Sequence, residues 1–159
     1  MKQVVVQIAH PNLILKTLPE VCKQRNWQFA SNPKALWGKN EWDTIYCRVQ
    51  APKFCSSFEL QQMPGCCAVL IACFIKPDPY TRDNFDEVLS VIESASYEAG
   101  FGSLLMAQVD YKDAIWPICL KRDWKMSDKF TNAKSGNKVV YLTKNLEQKG
   151  KKYGLEVEI

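Results

Sequence analysis

The sequence predicts an α+β chain, with two βαβ-like units in a ferredoxin-like sandwich and a C-terminal β-hairpin extension. Three observations carry that expectation. Cys66–Ile75 is apolar at every position and is bracketed by Pro64-Gly65 and Pro77-Asp78-Pro79. A run so bounded reads as a strand apolar on both faces, and therefore central in its sheet. Phe85, Val88, Leu89, Ile92, Ala95 and Ala99 then recur on one helical face, behind Asp83 as a cap and with Gly100 as a left-handed stop. Ser103–Val109 is a further apolar strand, so 66–109 reads as one βαβ unit with the usual right-handed crossover.

The first half supplies the other unit. Val4-Val5-Val6-Gln7-Ile8 is a short β-branched strand, ended by His10-Pro11-Asn12. Thr17 and Glu20 have the spacing of a capping box, and Pro19 is tolerated where first-turn amides have no helical partner. A short helix is expected from there to about Asn26, with 31–43 as a loop holding two tryptophans. Ile45, Cys47 and Val49 alternate with polar residues, and Phe54, Phe58 and Leu60 do so less cleanly, with a break near Pro52. Beyond Val109 come an element over Ala114–Leu120 and a hairpin of Lys129–Lys134 and Lys138–Thr143 about Ser135-Gly136-Asn137. An alternating tail of Leu155, Val157 and Ile159 closes the chain.

At 159 residues the chain reads as one domain, 1–159, with an α+β core over 1–120 and a basic hairpin and terminal strand over 121–159. Hydrophobic residues make up 47% and charged residues 24%, which excludes global disorder and leaves no need for a metal or disulfide staple. Ten apolar residues cannot span a bilayer, which needs roughly 20 in a helix. Met1–His10 lacks a secretory core, so a cytoplasmic setting is expected and no membrane partner. Seven cysteines without a CxxC pair read as buried reduced thiols. The charge is uneven: 1–120 sums to −1, 121–152 to +7 and 153–159 to −2, for a total of +4.

Each candidate for chemistry has a plainer reading beside it. His10 could act as a general acid or base, but at a strand-to-helix corner it reads better as a polar turn residue. Asp78, Asp110 and Asp113, with Asp83, could converge on a divalent cation at one end of the βαβ unit. All four sit in turns or caps, where Asp is favoured anyway, so no metal site and no cofactor are assigned. Cys66 or Cys67 could pair with His10 as a nucleophile, which spacing alone cannot support. Gly100-Phe101-Gly102-Ser103 follows a helix and precedes a strand, the reverse of a phosphate-cradling order.

Two features favour binding over catalysis. Trp37 and Trp42 flank Lys39 in a loop, where indoles stack on a ligand or anchor an interface. Lys121, Arg122, Lys125, Lys129, Lys134 and Lys138 mix with Trp124, Phe130 and Tyr141, a pattern suited to single-stranded nucleic acid. The expectation is therefore a small non-catalytic interaction protein of accessory or inhibitor type, such as phages encode. Its partner would be a protein or a small ligand, met through the aromatic loop and the basic face, with a homo-oligomer left open. The alternatives are a single-stranded nucleic-acid binder and a phosphodiester-acting enzyme using His10 or the Asp cluster.

Overall fold

The computed structural model describes residues 13–32, 44–63, 67–75, 82–110 and 115–146. The elements run α1 (Ile14–Gln24), β1 (Gln28–Asn32), β2 (Thr44–Gln50), β3 (Cys55–Met63), β4 (Ala68–Ile75), α2 (Arg82–Glu98), β5 (Ser103–Asp110), α3 (Ile115–Lys121), β6 (Lys125–Thr131) and β7 (Lys138–Asn145). The strands form one 7-stranded sheet in the order β1-β2-β3-β4-β5-β7-β6. Among them β4 and β5 pair in parallel and the other neighbours are antiparallel.

Helix α1 starts three residues before Thr17, so the expected capping box does not form. Its first-turn amide is satisfied through tertiary structure instead: Ile14 N donates to Gln62 Oε1 at 3.0 Å. Thr17 lies inside the helix, and its Oγ1 donates to the carbonyl of Ala95 at 2.7 Å, tying α1 to α2. Ile14, Leu18, Val21 and Cys22 bury one stripe. Helix α2 packs against α1 on one side and α3 on the other. That placement buries Glu93 and Ser96 as well as the apolar stripe read from the sequence. Gly100 ends the helix at φ 94, where a side chain would be strained.

Strand β3 shows which face of the sheet the helices cover. Ser56, Phe58, Leu60 and Gln62 are buried, and Gln62 is the residue that meets α1. Side chains alternate along a strand, so the odd-numbered residues of β3 belong to the opposite face.

The two-unit ferredoxin-like sandwich is therefore corrected. Only β4-α2-β5 is a βαβ unit among the described residues; β1 through β4 form an antiparallel run. Residues 28–32 pair with β2 although QFASN shows no alternation that would announce a strand. The hairpin is not an extension either, because β7 inserts beside β5 and carries the sheet onward to β6. The strand expected at Val4–Ile8 and the tail at Leu155–Ile159 lie outside the described residues.

Cys22, Cys47, Cys55, Cys67 and Cys119 are free thiols, and Cys22, Cys47 and Cys119 are buried. Burial pushes the Cys22 thiol up to about 11, with Arg25 opposing, and pushes Cys47 higher still, aided by the nearby Cys22. A raised thiol pKa means that the folded state holds the proton. This contribution to stability is whole below the ordinary value of 9.0 and fades as pH rises toward 11. Thermal melts should therefore show a fall in Tm over that alkaline window. The fall should be reduced in Cys22→Ala relative to its own value at pH 7; an equal fall in both would contradict the assignment.

Candidate functional site

The parallel pair opens into a fork. Strands β4 and β5 stay in register over Ala68–Ile71 and Ser103–Met106, and no later pair joins them among the described residues. Yet β4 continues to Ile75 and β5 to Asp110. Each strand is irregular just past the last shared pair. On the β3 side, Leu60 faces Ile71 while Glu59 faces Cys73, leaving Ala72 as one extra residue in β4. On the β7 side, Met106 faces Leu142 while Val109 faces Val140, so β5 also carries one extra residue. A bulge sharpens local twist and turns the bulged strand out of its ladder. Two bulges at one level bend two neighbouring strands apart.

The consequences are chemical. Past Ile71 and Met106, backbone N–H and C=O groups that would have joined β4 to β5 have no ladder partner between the two strands. The fork lies at the carboxyl ends of a parallel pair whose outer neighbours are both antiparallel. Ligands of open α/β sheets bind at such a switch in the chain's path. Because α2 follows β4, its amino end starts at the same edge, and the positive end of its dipole with it.

A concavity lies at the opposite edge of the sheet. An open cavity of about 710 Å³ is lined by Glu93, Tyr97, Arg122, Asp123, Lys125 and Lys144, with neighbours from α2 and β7. Its charges are largely used on one another. Arg122 grips Glu93 with two donors, Nε to Oε2 at 2.7 Å and Nη2 to Oε1 at 3.2 Å, and gives Nη1 to Asp86 Oδ1 at 3.1 Å. Trp124 Nε1 donates to Glu93 Oε2 at 3.3 Å, and Lys144 Nζ forms an ion pair with Glu93 Oε1. Burial alone would lower the Arg122 guanidinium; the bonds and charges of Glu93 and Asp86 outweigh it and hold it above its ordinary value. This cluster joins α2 to the α3–β6 turn and to β7, so the cavity reads as a structural seam.

The residues singled out from the sequence divide accordingly. His10, Trp37, Lys39, Trp42, Asp78 and Asp113 lie outside the described residues. Asp110 closes β5 opposite Val139, at the fork's edge of the sheet. Arg122 and Trp124, read as nucleic-acid contacts, are instead committed to the interior with Glu93. Lys121, Lys125, Lys129, Lys134 and Lys138 are exposed, and Lys138 Nζ donates to Thr131 Oγ1 at 2.8 Å. Among the described residues no group of three His, Cys, Asp or Glu is placed to hold a metal ion, and no helix is long and apolar enough to cross a membrane.

Ala72, Glu59 and Glu93 were missed in the sequence. An alanine inside an apolar strand announces no bulge. Glu59 falls on the polar beat of an alternating strand, and Glu93 looks like one more solvent-facing residue of an amphipathic helix.

No protein-family model and no curated protein matches the chain. Solved structures do. The ribosomal-protein-S18-alanine N-acetyltransferase of Escherichia coli superposes with a TM-score of 0.55 at 7% identity, over 72% of this chain and 72% of that one. A GNAT superfamily phosphinothricin acetyltransferase of Sinorhizobium meliloti, solved with acetyl-CoA, gives 0.55 at 9% identity, over 72% and 68%. Nourseothricin acetyltransferase gives 0.53 at 11%, over 65% of this chain and 66% of that one, so the chain spans about two thirds of that enzyme's length.

These likenesses overturn the expectation of a non-catalytic interaction protein, and with it the nucleic-acid and phosphodiester alternatives and the protein partner or second copy. The architecture found is shared with enzymes, and the residues that best suggested a nucleic-acid face are consumed inside the protein. At these identities it is the fold that is common: the chain shares with these acetyltransferases the fold of a mixed sheet packed with helices.

Proposed function

We propose that this chain is an acyl-CoA-dependent N-acyltransferase whose donor thioester lies in the fork between β4 and β5. The observation that carries the reading is the paired bulge beyond Ile71 and Met106, which opens the sheet at one level and frees backbone donors there. A free backbone N–H on β4 can bond the thioester carbonyl and hold the negative charge that grows on its oxygen as an amine attacks. Preorganised donors of this kind are among the strongest sources of rate acceleration. The pantetheine arm of the donor is itself an amide chain, and it can complete the β-type bonding that the parted strands leave open.

The connection between β4 and α2, residues 76–81, contains no glycine, so the reading rests on the fork and not on a Gly-rich phosphate loop. We take the chain 1–159 as one domain acting in the cytoplasm; the free described thiols support a reducing compartment.

Ala72 is exposed at the extra position of β4, where an indole would fill the mouth of the fork. Calorimetric titration of acetyl-CoA into the purified protein should show binding. Ala72→Trp should weaken that binding at least about tenfold, a loss of roughly 1.4 kcal/mol, with Tm little changed. No binding to the unaltered protein, or equal binding by the variant, would remove the proposal.

A further inference from the structure

We propose that the cavity at the closed end of the β4-α2-β5 unit is a further ligand site, and that its ligand is a basic α-amino acid. The inference makes no use of the fork and stands apart from the acyltransferase reading.

The place comes first. Ser103 pairs with Ala68 on one side and with Asn145 on the other, so these residues mark the end at which β4 and β5 are still joined. Helix α2 starts at the fork's edge and finishes here, at Glu98. The cavity of about 710 Å³ lies between this last stretch of α2, the turn from α3 into β6, and the end of β7. Its volume falls within the roughly 300–1,000 Å³ of small-molecule pockets.

The seam around Glu93 accounts for the floor of the cavity and not for its rim. Glu93 is engaged by Arg122, Lys144 and Trp124, and Arg122 also holds Asp86. Those two anions and two cations cancel. The rim adds Glu98 from α2, with Asp123 and Lys125 from the α3–β6 turn. All three are exposed, and none meets a side-chain partner among the described residues. The charge left for a ligand is therefore two negative and one positive.

A ligand that answers all three charges carries two cations and one anion. A basic α-amino acid has that composition: an α-ammonium, a side-chain cation and an α-carboxylate. A diamine leaves Lys125 unanswered, a neutral amino acid leaves one carboxylate unanswered, and an acidic one sets an extra anion against the rim. Tyr97 lines the same rim with an exposed ring, a surface for the alkyl stem or the side-chain cation. Each exposed charge is worth little alone. Here they converge on one small ion around a frame that is already fixed, which lowers the ordering cost of binding. Asp123 sits at φ 63 directly before the buried Trp124, whose indole joins the floor.

The experiment titrates L-lysine, L-arginine, L-alanine, L-glutamate and 1,4-diaminobutane separately into the full chain. Calorimetry gives affinity, and amide chemical shifts give the place. L-lysine or L-arginine should bind with Kd below about 1 mM and at least about tenfold more tightly than the other three. The shifts should centre on 94–98, 122–125 and 143–146. Glu98→Gln and Asp123→Asn should each weaken binding about threefold, the scale of an exposed pair; asparagine also tolerates the left-handed turn. Lys125→Met should weaken the basic amino acid and not the diamine, which a merely structural role would not do. Should Asp123→Asn fail to fold, Glu98→Gln and Lys125→Met decide. Absence of binding by both basic amino acids, equal affinity for the diamine, shifts centred elsewhere, or unchanged affinity in the variants would overturn the inference. The titration reads the cavity whether or not the chain binds acetyl-CoA, so the two proposals fail separately.

Discussion

Replacing Glu93 with alanine should lower the free energy of unfolding by about 3–5 kcal/mol, the range for removing one partner of a buried ion pair. Glu93 is 7% exposed and is the shared acceptor for Arg122, Lys144 and Trp124. Without it, Arg122 retains only Asp86, on the more exposed side of the cluster, and the indole N–H of Trp124 has lost its acceptor. Most of the loss is the desolvation of groups left behind, so deleting them as well should recover part of it. Urea unfolding of Glu93→Ala, Arg122→Met and the double variant measures this directly. The double variant should be less destabilised than the sum of the singles. A single-variant loss below about 1 kcal/mol, or simple additivity, would mean that the cluster is a loose surface pair worth what exposed pairs usually are.

Trp124→Ala should be comparably damaging, at about 3–5 kcal/mol, because a large ring leaves a cavity that its surroundings cannot close. Trp124 is 1% exposed and is the bulkiest of the fully buried side chains. It is held where α3 turns into β6: its own N–H donates to the carbonyl of Cys119 at 3.0 Å, and Asp123 before it takes φ 63. Trp124→Phe separates the two contributions. It keeps most of the apolar contact but removes the Nε1–H that Glu93 accepts, and it should cost about 1–3 kcal/mol. The same denaturation series reads both, with far-UV circular dichroism to confirm a retained fold. A neutral Trp124→Ala would show that the ring is not packed as described. Because Trp124 and Glu93 touch, these losses should not be summed with those above.

Both experiments bear on how the basic segment was to be understood. Its composition is that of a nucleic-acid face, with lysines and arginine interleaved with aromatics. Composition counts charges without saying which way they point. In the folded chain Arg122 and Lys144 turn inward onto a carboxylate 29 and 51 residues earlier, and Trp124 joins the core. Lys125, Lys129, Lys134 and Lys138 stay in solvent on a hairpin whose outer strand is exposed along its length. The distinction is made by the packing of α2 against α3 and β7, contacts far apart in sequence.

The elements that could be read from sequence are those whose signal is local. The stripe of α2 and its glycine stop, the apolar run that becomes β4, and the parallel return through Ser103–Val109 each depend on a period within one segment, and periodicity survives any tertiary arrangement. Elements whose form is set by a neighbour could not be read in this way. Helix α1 starts early because Gln62, 48 positions later, receives its first amide, and β1 is a strand because β2 pairs with it. The fork belongs wholly to the second kind. A bulge is a mismatch in count between two strands, and no single strand contains it; Ala72 is extra only relative to Glu59 and Leu60. Glu59 likewise is a polar residue in a strand until register sets it beside that mismatch and burial removes it from water. By itself the sequence determined which segments are helix or strand where periodicity is strong. Only tertiary structure decided how the strands are ordered, where the sheet parts and which charges face inward, because those depend on pairing and desolvation between residues the chain brings together from a distance.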